Sequence, residues 1–417
     1  MTPKESRTIE EHVAVRRGTP GRSLTARAEE ANQASRAPID LEGLQRELDD
    51  LRARTVAKIG EEDAAYIKRV RRIARRLEVS GRVLIHVSLE PVTFGLGVLG
   101  LGLYKIIENM ELGHNVMHGQ YDFMEDPTLD SKTYEWDLVG TAKTWKHGHN
   151  VTHHTYTNVL GKDDDFGYMF FRLSSDVDWK PSHLFQYLAN PLSGLVFDHA
   201  VSYYHARPSE YLTAEKGTPE RKAQRKTMLR DWLGLARKTA QQYAKEYLFY
   251  PALAGPFAPK VALGNALASG VRNVWTYAVI QCGHLTETTS TFTEKDLEGE
   301  TRGGFYLRQI LGSSNIQAGP VMGVLTGHLS HQIEHHLFPD IPARRYREMG
   351  GEVERICEKH GIPYNTGSLA EQFGSVMKAL VRYSVPTASS DEGRRAGSVY
   401  ELHPVSDRAL HETTPAR

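Results

Sequence analysis

Apolar positions fall along this chain in distinct regimes. Residues 1–38 are polar, rich in Arg, Glu, Thr and Ser, and show no apolar periodicity. That composition predicts a disordered tail. From Ile39 to about Arg82, Leu41, Leu44, Leu48 and Leu51 recur at three- and four-residue spacing, which predicts an amphipathic helix. A second helix is predicted over Glu61–Leu77. Its Arg69, Arg72, Arg75 and Arg76 form a face that is either solvated or laid on anionic headgroups. Residues 39–82 therefore read as amphipathic cytosolic helices preceding a core at 83–384. Three long apolar stretches mark that core: Val83–Ile107, Leu184–Tyr204 and Tyr247–Cys282. None is an unbroken run of about 20 apolar residues, the length that crosses a bilayer. Glu90-Pro91 interrupts the first and Asp198-His199 the second. The third can divide into two helices at Gly255-Pro256 or Ala258-Pro259. Residues 385–417 turn polar again and are expected to form a second disordered tail.

Composition narrows the function classes only a little. The 51 basic and 51 acidic residues among 417 balance, so bulk charge does not point to nucleic acid. Two cysteines, Cys282 and Cys357, exclude a disulfide framework and suit a reducing cytoplasmic setting. Both read as small buried residues. The polar, charged N-terminus lacks the apolar region of a secretory signal.

Histidine changes the picture. Eight of the 19 histidines lie in three short windows: His114-Asn-Val-Met-His118, His149-Asn-Val-Thr-His153-His154 and His331-Gln-Ile-Glu-His335-His336. Neutral imidazole is the commonest protein metal ligand near neutral pH. On an α-helix, positions i and i+4 lie about 40° apart, whereas i+5 is turned by about 100° from i+4. His149 and His153 can thus face one ion while His154 reaches a second, and the third window repeats the pattern. Eight imidazoles also exceed the coordination of a single ion. The pattern predicts a dinuclear, histidine-ligated site.

Carboxylates near the windows supply possible partners for the second imidazole N–H, which a ligating histidine normally donates. They are Glu111, Asp163, Asp164, Asp165, Glu334 and Asp340. The run Gly161-Lys-Asp-Asp-Asp-Phe-Gly-Tyr168 reads equally as such a loop or as an exposed acidic turn. His284 follows the third apolar stretch, either as a structural histidine or as a further ligand. All-imidazole sites accept Fe, Cu, Zn or Ni, and two adjacent redox ions suit O2 activation. Soluble di-iron bundles carry paired Glu-x-x-His motifs; here only Glu111-Leu-Gly-His114 matches. No His-Glu-x-x-His, phosphate loop or Gly-x-Ser-x-Gly is present.

The three windows resemble the histidine boxes of the membrane fatty-acid desaturases. The third, Gln332-Ile-Glu-His-His-Leu-Phe-Pro339, carries the likeness most strongly. Ile106–Gln120, Thr152–Tyr168, Arg272–His284, Tyr306–Ser313 and Ile362–Ser368 are similar to the bacterial NADPH-dependent acyl-CoA Δ9-desaturases, and the likeness covers roughly residues 60–380. It implies an all-α integral membrane protein whose cytosol-facing helical cap holds a histidine-ligated di-iron site. It further implies O2-dependent insertion of a cis double bond near carbon 9 of a long-chain acyl-CoA or acyl-lipid. The matching metal ligands are His114, His118, His149, His153, His154, His284, His331, His335 and His336, holding two Fe ions. Many members have histidine where Asn150 and Gln332 stand, so either residue of each pair could reach metal, and the histidines are favoured.

No His-Pro-Gly-Gly haem motif is present. Electrons from NADPH are therefore expected through a separate ferredoxin-type oxidoreductase. The implied location is the cell (inner) membrane, multi-pass among membrane lipids, with the site on the cytoplasmic face. Two alternatives stay open: a di-iron hydroxylase of alkanes or acyl chains, and a non-catalytic metal transporter or store.

Overall fold

The computed structural model describes residues 39–387 apart from Arg207. The tail expected at 1–38, and all but the first three residues of the one expected at 385–417, lie outside the described residues. Helix α1 (Leu41–Val56) is capped by Asp40, whose carboxylate accepts from the Gly43 N–H, and it buries Leu44, Leu48 and Leu51 as its spacing predicted. Helix α2 runs over Glu61–Val87, ten residues beyond the predicted Leu77 and straight across the expected 82/83 boundary. Its apolar stripe Ile67, Val70, Ala74, Ile85 keeps helical period throughout, so nothing stops the helix before Ser88. The chain then turns at Ser88–Glu90. Glu90 caps α3 (Pro91–Ile107), accepting from the Val92 and Thr93 N–H groups, and Pro91 starts it. Proline is pre-shaped for a first helical turn and lacks only a donor that would be orphaned there. The first apolar stretch is thus the end of one helix, a turn and a second helix.

Helices α2 and α3 pack almost backbone to backbone. A Cβ on Gly81 would lie 2.5 Å from the Leu101 amide nitrogen, and one on Gly97 would lie 2.8 Å from that of Ile85. Only glycine permits this approach. Beyond Ile107 the helix continues as a π-helical segment, Glu108–His114, then Asn115–Met117. A second π-helical segment, Lys146–His153, carries the second window. The expectation of plain α-helical spacing is corrected in the second window, whereas in the first the His118 N–H still reaches the His114 carbonyl as in an α-helix; π-bulges of this kind recur at functional sites.

The remaining helices complete a bundle and its cap. Among them are α4 (Gln186–Ser193), α5 (Phe197–His205), α6 (Pro219–Tyr243), α7 (Ala258–His284), α8 (Arg302–Leu311), α9 (Gln332–Leu337), α10 (Tyr346–Lys359) and α11 (Leu369–Arg382). Helix α7 lies against α3, with Gly102 under Val271. Their C-terminal ends therefore bring His284 and His114 to one level. Helices α1, α8, α9 and α10 share a core of Leu48, Leu307, Ile333, Tyr346 and Val353. One departure from all-α is a two-residue parallel pair, β1 (Asn315–Ile316) with β2 (Thr366–Gly367), which ties the chain just after α8 to the chain before α11.

Large apolar side chains remain exposed around the two helical hairpins: Val83, Val87, Leu89, Val92 and Leu96 at one, Leu248, Phe249, Leu253 and Phe257 at the other. Among the described residues, one helix, Pro91–Met117, is long and apolar enough to cross a membrane. Between the hairpins lies a buried charge network. Arg82 bonds Glu78 and Glu246; Lys105 and Lys245 flank Glu246, and Lys245 also reaches Asp137.

Candidate metal centre

Helix α3 and its π-helical extension deliver His114 and His118, the π-helical segment after Trp145 delivers His149, His153 and His154, α7 ends on His284, and α9 presents His335 and His336. These eight imidazoles form one buried cluster. Within it, His114, His118, His149 and His335 offer nitrogens all within 4.8 Å of one another, as do His153, His284 and His336, and His154, His335 and His336. His154 and His335 stand between the two halves, with rings 4.8 Å apart.

The hydrogen bonds show which nitrogen five of the rings turn inward. On the Nδ1 side, His149 meets Asp165 at 3.0 Å, His153 meets Asp163 at 2.9 Å and His284 meets the Gly312 carbonyl at 3.0 Å. His336 Nδ1 meets Gln309 Oε1 at 3.0 Å, and His114 Nδ1 meets Asn115 Oδ1 at 3.0 Å. Outer partners of this kind fix the tautomer and aim the other nitrogen. The Nε2 atoms point at each other instead: His114 to His149 at 3.3 Å and His153 to His284 at 3.3 Å. Nε2 of His118, His154, His335 and His336 is buried with no hydrogen-bond partner among the described residues. Buried polar atoms are rarely left unpaired. Lone pairs gathered this way fit cations.

Electrostatics agree. Burial pushes His149 down to about 4, although Asp165 pulls the other way. Burial, then the neighbouring imidazoles, hold His154, His335 and His336 well below the ordinary histidine range. These rings stay neutral, as metal ligation requires. His153 differs: burial opposes its charge, but Asp163 and Asp165 outweigh it and raise the value.

The acidic run after the second window is therefore no exposed turn at its functional positions. Asp163 is buried and also accepts from the Asn158 N–H, and Asp165 bridges His149 to His205 at 2.9 Å. The other acidic residues near the windows serve elsewhere. Glu111 accepts from the Tyr66 hydroxyl, Glu334 from Tyr364 and Asn315, and Asp340 from Arg52.

His331 is the one predicted site residue that the structure does not bring to the cluster. Its Nδ1 meets the Ser330 hydroxyl at 3.2 Å, and it lines a separate cavity with Arg347 and Tyr364. The reason is local. His331 has φ −114°, ψ 59° and precedes α9, so the spacing to His335 is not one of helical neighbours. Gln332 takes the inward place, with its Nε2 2.8 Å from His284 Nε2. At the second window the opposite holds, since Asn150 turns away and donates to the Met117 carbonyl. Sequence reasoning missed Gln309, Thr157, Asn115 and His205. Only proximity to a box could have flagged Asn115 and Thr157, and nothing local marks the other two.

A cavity partly open to solvent reaches the cluster. His114, His149, His153 and His284 line one wall. Met110, Trp136, Leu138, Trp145, Phe197 and Val201 form much of the rest.

The fatty acid desaturase family profile matches residues 91–368 of this chain. The chain belongs to the fatty acid desaturase family. Among relatives of this desaturase, the NADPH-dependent stearoyl-CoA 9-desaturase of Mycobacterium tuberculosis is 42% identical over 351 residues, covering 83% of this chain and 81% of the relative. The sn-1 linoleoyl-lipid 6-desaturase of Synechocystis is 26% identical over 298 residues, covering 67% and 77%. That of Arthrospira platensis is 22% identical over 298 residues, covering 69% and 77%. The likeness to bacterial NADPH-dependent stearoyl-CoA desaturases, read first from the boxes, is borne out. This desaturase is an oxidoreductase.

Proposed function

We propose that this desaturase inserts a cis double bond at carbon 9 of a long-chain saturated acyl-CoA. The observation that carries the reading is the convergence of eight imidazoles in one buried cluster, four of which line a largely apolar cavity. In this reading His114, His118, His149, His153, His154, His284, His335 and His336 hold two iron ions, Fe2+ in the reduced state. When bound, the iron pair supplies an oxidant able to take hydrogen from an unactivated methylene, with O2 reduced to water. The chain's own residues then have three tasks. Asp163, Asp165, Gln309 and the Gly312 carbonyl hold the imidazoles in register. Trp136, Trp145, Leu138 and Val201 bind the alkyl chain and exclude water. The hydrogen bond from Asn109 to Thr276, 3.0 Å, closes polar groups on the cavity wall against each other, so that the wall presents apolar surface.

Electrons come from NADPH through a separate ferredoxin-type oxidoreductase. The exposed apolar residues at both hairpins support several membrane crossings, with the cluster at the cytoplasmic end. The acyl-CoA substrate rests on the 42% identical relative, whereas the sn-1 lipid substrates belong to relatives of lower identity.

Expression with a cognate reductase, followed by mass spectrometry of total fatty acids, tests the activity. A new monounsaturated acid with its double bond at carbon 9 is expected. A hydroxylated product would transfer the chain to the hydroxylase branch, and no product with iron and reductase present would sink the acyl-chain reading. His331→Ala is expected to leave iron content unchanged by metal analysis of the purified protein. A loss of bound iron would return His331 to the ligand set.

A further inference from the structure

Helix α6 is the most exposed long helix of the bundle. Of its 25 residues only Asp231 is buried. At about 100° per residue, Lys222, Arg225, Lys226, Leu229, Arg230, Leu233 and Arg237 fall within one arc of roughly 140°. All seven are exposed. Leu233 is 73% exposed and Leu229 47%, and both lie at the middle of the arc with cations on either side. The opposite face holds the helix to the protein through Asp231 with Lys143 and Lys238 with Glu135. None of the five outward cations makes an ion pair among the described residues, and no carboxylate shares their arc. The helix then runs unbroken through Ala244–Phe249 and Tyr250–Ala252, where Leu248 and Phe249 are exposed.

We infer that this face of α6 docks on anionic phospholipid at the bilayer surface. Leucines between cations suit the headgroup–acyl boundary, where apolar side chains enter and Lys or Arg meets phosphate. Continuity with the exposed apolar turns after Tyr243 brings the helix to the bilayer at its C-terminal end. Five unpaired cations complement a negatively charged lipid surface and disfavour a purely zwitterionic one. An acidic protein partner is the competing occupant, but it needs no leucine pair at the centre of the arc. The inference rests on the membrane placement proposed above.

The test uses the full chain in nanodiscs of phosphatidylcholine alone or with phosphatidylglycerol. A nitroxide at Leu233→Cys reports access of a water-soluble nickel chelate, and a second label at Leu253→Cys reports the apolar turn. Cys282 and Cys357 are buried, so labelling selects the new thiol. Nickel access at 233 is expected to fall several-fold when phosphatidylglycerol is present. The fall should vanish when Lys222, Arg225, Lys226, Arg230 and Arg237 are all changed to Gln. Equal access in both lipids with 253 lipid-buried would overturn the docking while sparing the membrane reading. Water-exposed labels at both positions would overturn both. Protection at 233 only on adding a reductase would assign the face to a protein instead.

Discussion

Desaturation is expected to disappear in His335→Ala. His335 belongs to two of the close imidazole groups, one with His114, His118 and His149, the other with His154 and His336. Its Nε2 is buried without a partner, and its ring is fully enclosed. Loss of product should exceed about 100-fold, beyond the 10- to 100-fold typical of losing a hydrogen-bond partner of a ligand. Asp163→Asn provides that milder comparison, because it weakens the hold on His153 and leaves every imidazole in place. Fatty-acid profiles and iron per chain, measured on both variants, separate the cases. His335→Ala protein that retains two irons and near-normal product would remove His335 from the centre and break the proposed ligand set.

The second large effect is on stability and lies away from the metal. Glu246→Leu should destabilise the protein by about 3–5 kcal/mol, the usual result of taking one partner from a buried ionic network. Glu246 accepts from Arg82 at 2.9 Å and lies 3.3 Å from Lys105 and 3.4 Å from Lys245. Arg82 keeps Glu78 and Lys245 keeps Asp137, but Lys105, 4% exposed, has no other carboxylate partner among the described residues. An unpaired ammonium in that position is the dominant cost. Adding Lys105→Met should recover part of the loss, since removing both charges is far cheaper than stranding one. Thermal unfolding in detergent, followed by circular dichroism, gives the comparison. A single variant as stable as the parent, or a double variant worse than the single, would contradict the assignment.

Much of this protein was legible in the chain itself. Leucine spacing located α1, Glu90-Pro91 marked the hairpin turn, and three histidine windows pointed to a cluster able to hold metal. These features are local: helical period, proline geometry and ligand chemistry act over a few residues. Other features required the folded chain. The length of α2 and its near contact with α3 depend on Gly81 and Gly97 meeting backbone from the partner helix. Asp163 and Asp165 could not be told from a solvated acidic turn until His153, His149 and His205 closed over them. The choice of His149 over Asn150, and of Gln332 over His331, was open because both windows carry the same spacing. The π-helical segment resolved one in favour of histidine. At the other, the non-helical backbone of His331 just before α9 sent that ring to a separate cavity. Residue spacing along the chain determined that histidines gather in windows able to ligate metal; the tertiary structure decided which of them face one another in a single cluster, because direction is set by backbone geometry and by partners remote in sequence.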